Sequence, residues 1–145
     1  MTRQPSRAQR EREAALRLGL GWVMGIGWTN GPVLLVQAAD GRRAESIRKE
    51  AQRASAMLEA AGSRHSVTGE AVVLFSMCCA NGGAARLRRL VADVMSEKRV
   101  SGDLFDVSTH EFTSTVLSMA GMHGLPEIDA NRRAALIEDE MRRMR

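Results

Sequence analysis

The chain has 145 residues, 44% of them apolar and 26% charged, with 21 basic and 17 acidic side chains and a formal charge of +4. That length suits one domain spanning 1–145 with a real core, and the composition excludes wholesale disorder and low-complexity structure. Three Phe, two Trp and no Tyr against nine Met favour helices packed through small and flexible side chains, so the expected fold is all-α, a single domain of five or six packed helices.

The charge is unevenly laid out. Residues 1–89 carry +7, residues 90–131 carry −5 and residues 132–145 carry +2. A polyanion would be drawn to the first part, while the acidic middle faces elsewhere. Cys78 and Cys79 are adjacent and are the only cysteines, so no intramolecular disulfide framework exists, and a cytoplasmic, reducing setting is the default.

Residues 1–17 read as a basic, partly exposed helical arm, with Ala8, Ala15, Leu18 and Trp22 at helical spacing. The stretch Leu18 to Ala39 follows with no charged residue and with both tryptophans. An arginine-bearing head before an uncharged run has the outline of a targeting segment or membrane span. Glu11 and Glu13, together with Thr29-Asn30-Gly31-Pro32 in the middle of the run, argue against both. Its glycines weaken a helix, and Asn30-Gly31 is a strong turn signal, so a short β-hairpin near residues 20–38 is a second option within the helical fold.

Ala44, Ile47, Ala51, Ala54, Leu58 and Ala61 alternate at three and four, a small-residue helical seam that Gly62 closes. Residues 70–80 are apolar on every side, so they are buried, as helix or as strand; Asn81-Gly82-Gly83 suits a helix C-terminus and favours helix. Leu87, Leu90, Val91 and Val94 mark the next helix. Ser108 to Glu111 forms a capping box before Phe112, Val116 and Met119, and residues 127–144 form an amphipathic terminal helix. The alternative architecture is a small α/β domain with adjacent parallel strands near 33–38 and 71–76.

Few residues have the spacing that chemistry needs. Gly21, Gly25 and Gly27 match the glycines of a nucleotide loop, but a basic helical segment precedes them where a strand should, so close packing is their expected role. As a strand, loop and helix, residues 72–83 would put a thiol at a helix N-terminus, yet there is no Cys-x-x-Cys, and a buried, inert pair is expected. His65, His110 and His123 form no metal set. No catalytic residue, cofactor or metal is therefore assigned, and the chain is expected not to be an enzyme.

Residues 67–98, read as helix, turn and helix, would place Arg86, Arg88 and Arg89 in the first turns of a recognition helix. With Arg42, Arg43, Arg48 and Arg53 they define a basic surface for nucleic acid, contacted mainly through phosphates. The alternative function is protein–protein interaction or assembly, with Trp22, Trp28, Met141 and Met144 docking on a protein partner or a second copy. A membrane-associated protein is the third reading.

Overall fold

A computed structural model describes residues 4–28, 32–39, 45–49, 52 and 71–144. The charge-free stretch does not become helix. It forms β1 (Gly21–Gly27) and β2 (Val33–Ala38), paired antiparallel from Trp22↔Ala38 to Gly27↔Val33. The hairpin option thus matches the structure in place. β3 (Val72–Cys79) pairs antiparallel with the other side of β1, and β4 (Arg99–Ser101) and β5 (Leu104–Phe105) extend the sheet beyond β2. The order is β3-β1-β2-β5-β4.

This corrects the all-α expectation: the fold is mixed α/β around a five-stranded antiparallel sheet. The physical reason lies in residues such as Val72, Val73, Leu74 and Phe75, whose branched and aromatic side chains suit a pleated surface better than a helix. The alternative architecture placed its strands near 33–38 and 71–76, where β2 and most of β3 lie, but paired them wrongly. They run parallel to each other without touching in the sheet, because β1 lies between them and is antiparallel to both.

Among the described residues, the longer helices beside the sheet are α1 (Arg7–Arg17), α2 (Gly83–Val94), α3 (Thr109–Met122) and α4 (Ala130–Arg143). Ser6, Ser108 and Asp129 cap α1, α3 and α4 by accepting a backbone N–H, each cap worth about 1 kcal/mol. On one sheet face, Val23, Leu35 and Met77 pack against Leu87 and Val91 of α2 and Phe112 and Val116 of α3. The other face gathers Met24, Ile26, Trp28, Val36 and Leu104, with Ile47 from helical residues 45–49. The rest of the alanine seam, Ala44, Ala51, Ala54, Leu58 and Ala61, lies outside the described residues.

The glycines of β1 now have a physical account. A Cβ on Gly25 would lie 2.6 Å from the Phe112 ring, and one on Gly21 would lie 3.1 Å from the Ala84 Cβ. They let α3 and α2 press onto the middle of the sheet. A nucleotide-binding loop is excluded there because Gly21, Gly25 and Gly27 are inside a strand.

Candidate functional site

β3 leads through Ala80, Asn81 and Gly82 directly into α2. Asn81 and Gly82 both take positive φ, 56° and 73°, so the chain reverses tightly between the strand and the helix. Two amides of this loop donate to the segment between α1 and β1: Asn81 N–H to the Leu18 carbonyl and Gly82 N–H to the Gly19 carbonyl, each at 3.0 Å. Gly19, at φ 63°, is needed there, since a Cβ would stand 2.8 Å from the Gly82 nitrogen. A third loop, between α3 and α4, is tethered to β3 by Ile128 N–H donating to the Cys78 carbonyl at 2.8 Å.

These three pinned loops enclose a cleft of about 670 Å³ that reaches the start of α4. Leu18, Leu125 and Leu136 supply apolar wall, while Arg86, Arg132 and Glu127 supply charge. No side chain caps the start of α2, and the amides of a helix's first turn have no intrahelical acceptor. Clefts of about 300–1,000 Å³ are the usual size for small ligands.

Cys79 lines the cleft and Cys78 faces the opposite side of the strand, beneath α4; both are free and buried. Burial pushes the Cys79 thiol up to about 11, and the neighbouring Cys78 and Glu127 add to the rise. Burial also raises Cys78, outweighing the pull of Arg133 in the other direction. The strand, loop and helix layout is therefore present, but its thiols stay protonated near neutral pH and are poor nucleophiles.

The arginines expected to bind phosphate divide into three groups. Arg42, Arg43 and Arg53 lie outside the described residues. Arg48 donates to the Glu45 carboxylate at 2.8 and 3.0 Å and to the Ala71 carbonyl at 2.9 Å, and that hydrogen bond holds the Glu45 carboxyl below its usual range. Arg88 is engaged with Asp103 at 2.6 Å. Arg86 and Arg89 remain exposed and, among the described residues, make no ion pair. Their proposed helix-turn-helix setting is corrected, since residues 72–79 are a strand.

Arg132, which the sequence reading did not single out, joins Arg86 in the cleft. The tether of Ile128 to β3 helps to bring the start of α4 there, with Arg133 on Trp22 and Arg7 paired to Glu138, and no local pattern announces it. Next to it, Arg133 stacks 4.7 Å above the centroid of half-buried Trp22. Of the expected docking residues, Trp28 and Met141 are buried and Met144 is half-buried.

His110 is exposed and His123 half-buried, while His65 lies outside the described residues. Among the described residues no group of His, Cys, Asp and Glu could hold a metal ion, and no helix is long and apolar enough to cross a membrane. No protein-family model matches the chain, and neither does any curated protein or solved structure.

Proposed function

We propose that the protein is a non-enzymatic nucleic-acid-binding protein of a cytoplasmic, reducing setting, contacting its ligand mainly through phosphates at Arg86, Arg89 and Arg132. The carrying observation is how its arginines are used. Arg7, Arg17, Arg48, Arg88, Arg142 and Arg143 are held in ion pairs. Among the described residues Arg10, Arg12, Arg86, Arg89, Arg99, Arg132 and Arg133 have no carboxylate partner, and of these Arg86 and Arg132 line the cleft, with Arg89 beside Arg86 on α2. A guanidinium without a carboxylate partner is ready for the bidentate geometry of a phosphate.

Fluorescence anisotropy of a labelled single-stranded oligonucleotide tests this. Binding at low salt should weaken steeply as salt is added, because phosphate contacts release counterions. The double variant Arg86→Ala/Arg132→Ala should lose most of the affinity, while Arg88→Ala should not. Absence of binding at low salt would overturn the reading.

A second reading, an assembly component, is favoured by the outer edge of β3, where Val72 and Val73 are each 43% exposed on a strand without a single charge. A particle that light scattering finds monomeric at high concentration removes that reading.

A further inference from the structure

We infer that the cleft seats the phosphate-bearing end of a nucleic-acid strand, or a free mononucleotide, rather than a phosphate inside a continuous backbone. This rests on the phosphate reading above. The hydrogen bonds of Asn81, Gly82 and Ile128 hold three loops around one recess. A backbone phosphate carries sugars on both sides and needs an open groove, whereas a recess bounded on several sides admits a chain end.

The lining has three chemistries, and a nucleotide end uses all of them. Arg86 and Arg132 face a phosphate monoester, which carries about −1.5 to −2 charges at neutral pH, more than the single charge of a diester. Leu18, Leu125 and Leu136 offer apolar surface to the face of a base. Glu127 repels bare phosphate but accepts from a sugar hydroxyl or a base amino group. The carboxylate therefore turns a general anion site into one that prefers an organic phosphate.

The test compares oligonucleotides of one sequence with a 5′-phosphate, a 3′-phosphate or hydroxyl ends only, at low salt, on the full chain. One of the two phosphorylated forms should bind about tenfold more tightly than the hydroxyl-ended form, a difference of about 1.4 kcal/mol. The matching nucleoside monophosphate should compete, and inorganic phosphate at the same concentration should not. Arg86→Ala and Arg132→Ala should each abolish the end preference with the thermal midpoint unchanged, whereas Arg89→Ala should lower affinity for every form equally. Glu127→Gln should let inorganic phosphate compete. Equal binding of all three oligonucleotides would overturn this inference and leave the phosphate reading standing. If none of them binds, both fall.

Discussion

Gly25 is the position where a single atom matters most. Its absent Cβ leaves room for the Phe112 ring, which is fully buried against the centre of the sheet. Gly25→Ala forces either the ring or α3 to move, and overpacking of that kind costs about 1–3 kcal/mol; the denaturant midpoint of the variant should fall accordingly, with an unchanged slope. Cys79 makes a different residue-scale prediction. With its thiol raised to about 11 by burial, it should resist disulfide reagents at pH 8 in the native state and react on unfolding. The folded state holds that proton more tightly than the unfolded state, whose thiol has the ordinary value of 9.0. Stability should therefore fall as pH rises from about 9 toward 11, and thermal melts of Cys79→Ala should show a shallower fall.

Among the elements, α2 separates structural from available cations. Arg88 ties the helix to Asp103 just before β5, with the two side chains 31% and 40% exposed. Pairs this exposed contribute about 0–1 kcal/mol, so Arg88→Ala should lower stability by no more than that and leave oligonucleotide affinity within about twofold. Arg86→Ala, two residues earlier and so on a different side of the helix, should do the reverse. β3 is the second telling element. A bulge opposite Gly25 and Ile26 turns both Leu74 and Phe75 toward the α2–α3 side of the sheet, where they pack on the core, and leaves Val73 outside. An exposed uncharged edge invites pairing with other chains. Val73→Lys should therefore reduce aggregation on heating, followed by turbidity, while changing the unfolding free energy by less than about 0.5 kcal/mol.

At the scale of the whole molecule, burial was legible in part and pairing was not. The sequence by itself determined that most of Leu18 to Ala39 is covered, that the run is broken between two segments, and that amphipathic helices follow Ser108 and Asp129, all from local charge, periodicity and capping. The expectation that residues 70–80 are buried throughout is corrected, since Met77, Cys78 and Cys79 are buried but Val72 and Val73 on the outer edge of β3 are exposed. The same residues were misread as helix because a short run apolar on all sides carries no period. Only the tertiary structure decided that β1 lies between β2 and β3, that Arg48 and Arg88 are held by carboxylates, and that Arg132 and Arg86, 46 positions apart in the chain, line one cleft. The physical reason is range. Propensity and capping act over a few residues, whereas the cleft is made by three loops joined through backbone hydrogen bonds whose partners no neighbouring residue specifies.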